Sequence, residues 1–287
     1  MPRRIDHLVV AVHDLDEASG LYQRLGFQVG ARNRHPWGTE NRLVQFGSSF
    51  IELITVGEDA EISPHGEGTF SFGAFVRDYL EQREGLAMLV LDSDDAKADA
   101  ASFAQKGIGS FEAFFFERRG RRPDGTPTHV AFTLAFARDE AAPQAAFFVC
   151  QQHYPENFWN PEFQRHDNKA VDIAAIAFVA SHPEQHRTFL AAFTGSDPER
   201  IVDHDLSFPL RDARLDVMTP DDAAEVFGSV EVDPGQPSLA AFSVRVEDIG
   251  RQARWLDAAE VPYQHIGSRL VVPASAAFGV AIAFEAT

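Results

Sequence analysis

Residues 150–168 read CQQHYPENFWNPEFQRHDN and gather His153, His166, Glu156, Glu162 and Asp167 with the aromatics Tyr154, Phe158, Trp159 and Phe163. Imidazoles and carboxylates so close together can exchange protons or hold a cation. The stretch follows the apolar run AAFFV, a strand by residue type, and Pro155 and Pro161 exclude a long helix or central strand. It is either the edge of a catalytic cluster or a linker, and aromatics of this size would be wasted in a free linker. Phe158 and Trp159 then wall a pocket or pack an interface, while Glu156, His166 and Asn168 face a cavity or pin the segment by hydrogen bonds. HPWGTEN, residues 35–41, sets His35, Trp37, Thr39 and Asn41 before a strand, where loops line ligand pockets. Trp37 and Asn41 are substrate contacts on that reading, with ordinary turn chemistry as the alternative. RRGRRPDGTP, residues 118–127, is the one basic cluster and reads as a solvated hairpin tip turning at PDG, with an anion clamp reaching into the pocket as the alternative. No phosphate-binding loop, dinucleotide glycine motif, nucleophile elbow or H-E-x-x-H occurs.

The chain that must position these groups has 287 residues, 45% of them hydrophobic, enough for two domains with substantial cores. Its formal charge of −18 argues against nucleic acid, polyphosphate or an anionic membrane as a partner and for a small-molecule substrate. Neither a membrane-spanning run nor a signal peptide is legible, so a cytoplasmic location is expected. A homodimer is compatible with all of this. The single cysteine, Cys150, excludes an internal disulfide and reads as a buried packing residue at a strand end. The 25 phenylalanines fall in strand-like runs such as FEAFFFE, suiting sheets that curve around an apolar space.

One grammar recurs four times. IDHLVVAV reads as a strand, Asp14 and Glu17 as a capping box, Leu15, Ala18, Leu21, Tyr22 and Leu25 as a helical face, and Gly26 as its stop; about three short strands follow. Similar units start near residues 86, 172 and 238, the third with Ser181 and Glu184 as a second capping box. One such unit cannot bury both faces alone, so consecutive units pair. The expected class is α+β, with four βαβββ units in two tandem domains of curved mixed sheet. The first domain spans 1–155, a linker over 156–167 docks on it, and the second spans 168–287. The first should fold alone. An insertion over 57–84 carries Phe72, Phe75, Val76, Tyr79 and Leu80 at helical spacing and predicts a helix covering the first sheet.

These repeated units, with His7 on a first strand (DHLVVAV) and Glu52 in a last strand (FIELI), resemble the vicinal oxygen chelate superfamily, the glyoxalase, bleomycin-resistance and extradiol-dioxygenase fold. HPWGTENRLVQFGSSFIELITV resembles its glyoxalase-like domain branch. The resemblance implies a divalent metal in the concavity of the sheet, with zinc, nickel, manganese and iron not distinguished. His7 and Glu52 match one unit's ligands, and a carboxylate in so apolar a strand is costly to bury without a partner. His153 is the imidazole expected to complete the set, although strand alternation sets it opposite Cys150 unless the chain turns at Gln152. Substrate contacts would come from Trp37, Asn41, Phe158 and Trp159; no catalytic residue is assigned.

The implied activity is a metal-dependent lyase, isomerase or dioxygenase acting on a small oxygenated or carbonyl compound. The alternative is a non-catalytic protein that sequesters a small molecule. In the second unit Ala87 aligns with His7, and no ligand stands there. In the second domain Ile173 aligns with His7 and Glu285 with the last-strand carboxylate, beside His265. That domain is expected to be degenerate and structural, which counts against ring cleavage by the usual His, His, Glu set.

Overall fold

A computed structural model describes residues 2–121, 125–200, 205–228, 230, 233 and 235–287. The first unit runs β1 (Ile5–Ala11), α1 (Leu15–Arg24), β2 (Asn33–Arg34), β3 (Thr39–Gln45) and β4 (Phe50–Val56). Asp14 opens α1 by accepting from the amides of Asp16 and Glu17. Gly26 follows the helix at φ 96°, and a Cβ there would lie 2.5 Å from the Cβ of Asn168, so only glycine fits the turn. The inserted helix α2 (Phe72–Leu80) follows, capped by Ser71, and then β5 (Gly85–Asp92), α3 (Ala96–Gln105), β6 (Phe114–Arg121), β7 (Pro127–Ala137), β8 (Ala146–Gln152) and the short α4 (Pro155–Phe158).

These eight strands form one sheet in the order β2-β3-β4-β1-β5-β8-β7-β6. β1 and β4 are parallel, as are β5 and β8, and the two halves join where β1 runs antiparallel to β5. Alternation divides the sheet cleanly. Val9, Ala11, Ile54, Met88, Val90, Phe132, Leu134, Phe136, Phe148 and Cys150 share the concave side, and α2 buries Phe72, Val76, Tyr79 and Leu80 against it. Leu8, Val10, Leu53, Leu89, Phe147 and Val149 point to the other side, where α1 and α3 pack.

The second half repeats the plan with β9 (Ala170–Val179), α5 (Arg187–Thr194), β10 (Glu199–Arg200), β11 (Leu206–Pro209), β12 (Arg214–Met218), α6 (Pro220–Phe227), β13 (Ser238–Val246), α7 (Ile249–Ala258), β14 (Gln264–Ile266), β15 (Arg269–Val272) and β16 (Ala281–Ala286). Their order, β10-β11-β12-β9-β13-β16-β15-β14, is that of the first sheet. Two eight-stranded mixed sheets of βαβββ units are thus the observed architecture, the tandem vicinal-oxygen-chelate arrangement that the pattern predicts. The capping box expected at Ser181 and Glu184 does not open α5. A 3-10 turn over Pro183–His186 intervenes, and the Glu184 carboxylate is held by Arg187 and Arg200.

The helix-bearing sides of both sheets share one continuous core, running from Leu8 and Phe147 of the first through Phe178, Phe193 and Phe284 of the second. Phe27 stacks on Phe284, and Phe147 meets Phe178 edge-on. Polar ties cross the same junction: His186 Nδ1 lies 2.6 Å from Asp139 Oδ2, and Asp172 holds the hydroxyls of Ser48 and Ser49. This shared core removes the physical basis for a first half that folds alone.

Candidate active site

A cavity of about 50 Å3 opens in the concave face of the first sheet. At roughly 10–15 Å3 per water by the same measure, it has room for a few waters or a compact organic molecule. Its polar groups come from the β2-β3-β4-β1 half: His35 after β2, Asn41 on β3, Glu52 on β4 and His7 on β1. The other half supplies aromatic wall from Phe116, Phe132 and Phe148, with Arg118 one step further along β6; Trp37, Phe50, Phe72 and Phe158 close the remaining sides.

Glu52 is 5% exposed, and its carboxylate organises the floor. Asn41 Nδ2 donates to Oε1 at 2.5 Å, and His35 Nε2 stands 3.7 Å from the same oxygen. Oε2 faces His7 Nε2 at 3.8 Å. The other His7 nitrogen, Nδ1, lies 2.6 Å from Asp6 Oδ1, while Asp6 Oδ2 accepts from Gln152 Nε2 at 2.7 Å. With its Nδ1 proton donated to Asp6, His7 turns the lone pair of Nε2 toward the cavity. Phe50 stacks on the His7 ring at 4.3 Å and fixes its plane.

His35 is 8% exposed, and its pKa is lowered to about 4, chiefly by burial and also by the charges of Arg118 and His7, against a raising effect of Glu52. It is neutral at pH 7, with Nδ1 2.9 Å from Thr39 Oγ1 and the ring stacked on Trp37 at 4.5 Å. Arg118 lies part-buried at the wall, and desolvation pulls its pKa below the ordinary guanidinium value while Glu52 pulls it back up. Burial pushes the Cys150 thiol well above its ordinary pKa, with the Asp6 and Glu52 charges acting in the same direction, so it is a protonated wall residue.

The structure thus brings together His7, Glu52, Trp37, Asn41 and Phe158. Trp159 sits one layer out, packed edge-on against Phe158 and Phe50. His153 is not part of the cluster. Cys150 points into the cavity, and the chain does not turn at Gln152 in the way that would carry His153 inward. His153 is exposed, and its Nε2 lies 2.7 Å from Thr133 Oγ1, whereas the cavity-lining neighbours of Thr133 on β7 are Phe132 and Leu134. The docked segment after α4 is tied down by Gln45 Nε2 donating to the Phe158 carbonyl and by His166, whose Nδ1 accepts from the Gln28 amide. His166 and Asn168 are therefore straps. Sequence reasoning did not assign His35 or Asp6 to the site, and brought Arg118 to it only through the alternative of an anion clamp. The Phe114, Phe116, Arg118 alternation is a signal that could have placed Arg118 on the concave face. The PDG turn beyond it includes Pro123 and Asp124, which lie outside the described residues.

Whether the expected metal fits is decided by the donor set. A pseudo-two-fold through the Leu8–Leu89 pair carries His7 onto Met88, because Asp6 and Ala87 are the two bulged residues, and it carries Glu52 onto Phe148. The second unit therefore offers two apolar side chains, and Met88 corrects the alignment of Ala87 with His7. Among the described residues no group of three or more His, Cys, Asp or Glu side chains is arranged to hold a metal ion. A divalent ion held by His7, Glu52 and His153 does not fit this site.

The second sheet carries the same bulge, with Ala177 in the place of Val9. That register sets Ala175 in the place of His7 and Asp216 in the place of Glu52, in contrast to the expected Ile173 and Glu285. Asp216 is occupied by Ser207 Oγ and Arg214 Nε, and alanines with Phe227 of α6 fill the concave face.

Among solved structures, the chain is similar to a hypothetical protein from Staphylococcus aureus, at 13% identity and a TM-score of 0.72 over 99% of this chain and 100% of that one. It is also similar to a variant of 4-hydroxymandelate synthase from Streptomyces coelicolor, at 15% identity and a TM-score of 0.58 over 91% of this chain and 76% of that one. These likenesses show the fold. No curated protein matches by sequence. The family model described as a glyoxalase-like domain matches residues 5–194, and the chain belongs to that family, within the vicinal oxygen chelate superfamily.

Proposed function

We propose that the cavity of the first sheet is the active site of an enzyme that moves a proton on a compact oxygenated or carbonyl compound, by isomerase or lyase chemistry. The observation that carries this reading is the buried Glu52 carboxylate, with Oε1 bound by Asn41 and Oε2 facing His7 Nε2 at 3.8 Å. Two proton-accepting atoms at that separation can reach one carbon and the oxygen next to it. Glu52 Oε2 takes the proton from a carbon beside a carbonyl, and the C–H electron pair moves to form an enolate. The aromatic wall keeps water from competing, and a low-polarity surround strengthens each charge interaction. His7, steadied by Asp6, is the second proton carrier: its Nε2 lone pair takes the proton of the adjoining hydroxyl and hands it to the enolate oxygen, while Glu52 returns its proton to the neighbouring carbon, so that an isomerisation closes with both residues restored. The three-ligand metal set has no part in this reading, since its third donor stands on the other face of the sheet.

The test is solvent-deuterium exchange followed by proton NMR, with a panel of small hydroxy-aldehydes, hydroxy-ketones and hydroxycarboxylates in D2O. Protein-dependent loss of a C–H signal, falling about 10²-fold or more in Glu52→Gln, supports the proposal. A compound that binds but exchanges no proton faster than in buffer contradicts it and favours the sequestering alternative.

A further inference from the structure

Among the described residues, three polar groups of the cavity make no hydrogen bond. Asn41 is 3% exposed, and its Oδ1 has no hydrogen bond, because Nδ2 is committed to Glu52 and fixes the amide's orientation. Trp37 Nε1, on the adjoining wall, is buried and equally unpaired. The Arg118 guanidinium, on the same wall as Phe116, makes no hydrogen bond or ion pair among the described residues, although burial already disfavours its charge. Unmet buried donors and acceptors are costly, and a part-buried cation without a counter-ion more so, unless a ligand satisfies them. Their chemistry is specific: one acceptor on the Glu52 side, and one neutral donor and one cation on the aromatic side. Glu52 offsets part of that cost through space, but its carboxylate is bound by Asn41 and makes no hydrogen bond or ion pair with Arg118.

We infer that Arg118, with Trp37, anchors a carboxylate of the ligand and that Asn41 Oδ1 accepts from its hydroxyl, so that the site selects a compact hydroxycarboxylate. This rests on the cavity being the active site as proposed above. An anion seated on Arg118 sets the hydroxyl-bearing carbon toward Asn41 and Glu52, the side from which the proton leaves. The guanidinium fork suits a planar carboxylate better than an ammonium would. A cavity with room for a few waters limits the rest of the ligand to a small substituent. Arg118 is therefore a specificity-determining residue, and its run RRGRR is at that one position an anion clamp rather than a solvated tip.

The test uses the full chain and binding rather than turnover. Glycolate, lactate and glycerate are each paired with the neutral amide of the same shape, and dissociation constants are measured by calorimetry at low ionic strength for wild type, Arg118→Gln, Arg118→Lys and Glu52→Gln. Wild type should prefer at least one acid over its amide by roughly ten- to a hundred-fold, the range for a charge-assisted hydrogen bond. Arg118→Gln should abolish that preference, with Arg118→Lys retaining part of it. Glu52→Gln, which should stop proton transfer, should keep the preference, and this separates failure of the anchor from failure of the catalytic reading. If no acid binds better than its amide, or if Arg118→Gln retains the preference while folded by circular dichroism, the inference is overturned.

Discussion

Asn41 Nδ2 donates to Glu52 Oε1 at 2.5 Å, and this bond decides which carboxylate oxygen is available, since Oε2 alone remains turned toward His7 Nε2. Both residues are nearly inaccessible to water, so the donor is not replaceable by solvent. Asn41→Leu should leave Glu52 underpaired and lower stability by about 1.5–3 kcal/mol, read from the urea midpoint at unchanged slope. A midpoint equal to wild type would mean that Glu52 does not depend on the Asn41 amide.

His35 supplies a pH dependence. Its pKa falls from 6.5 to about 4 on folding, mainly through burial, so the unfolded chain binds more protons between those values. Its contribution is therefore fully present above pH 6.5 and is lost as pH falls toward 4, by at most about 3 kcal/mol. The difference between wild type and His35→Phe in unfolding free energy should narrow in wild type's disfavour across that window. A difference that stays constant from pH 7 to 4.5 would contradict the buried neutral imidazole.

Asp6 acts through His7, whose Nδ1 it holds at 2.6 Å. Asp6→Asn preserves shape but removes the charge and leaves one acceptor oxygen for two donors, His7 Nδ1 and Gln152 Nε2, so the His7 tautomer is no longer fixed and exchange activity should fall roughly 10²-fold in protein that remains folded by circular dichroism. Activity within two-fold of wild type would remove His7 from the proton path.

The helix-bearing sides of the two sheets form one core, which the chain cannot divide without exposing Leu8, Phe147 and Phe178. A fragment of residues 1–168 should be insoluble or should unfold without cooperativity. A sharp urea transition in that fragment would show that the first sheet is self-sufficient.

The repeated units were legible because strand, cap, helical face and glycine stop each have a local chemical signature, and Asp14 and Asp95 cap their helices as their types suggest. His7 and Glu52 were placed by their match to the first-strand and last-strand positions of the resembled family, Glu52 also by the cost of burying an unpaired carboxylate in an apolar strand, and both line the cavity. What failed was register. The bulges at Asp6 and Ala87 shift correspondence by one residue without changing composition, so Met88 rather than Ala87 mirrors His7. His153 failed by parity at a strand end, where the outcome depends on whether one residue turns. Arg118 was obscured by its basic neighbours, although its alternation with Phe114 and Phe116 already set it on the cavity side.

Proton transfer by Glu52 and His7 should need no bound metal ion. The most direct test is the exchange rate of the best substrate before and after dialysis against a strong chelator, with elemental analysis of both samples. An unchanged rate is expected in protein holding far less than one metal ion per chain. Loss of exchange on chelation, restored by one equivalent of a divalent ion, would contradict it.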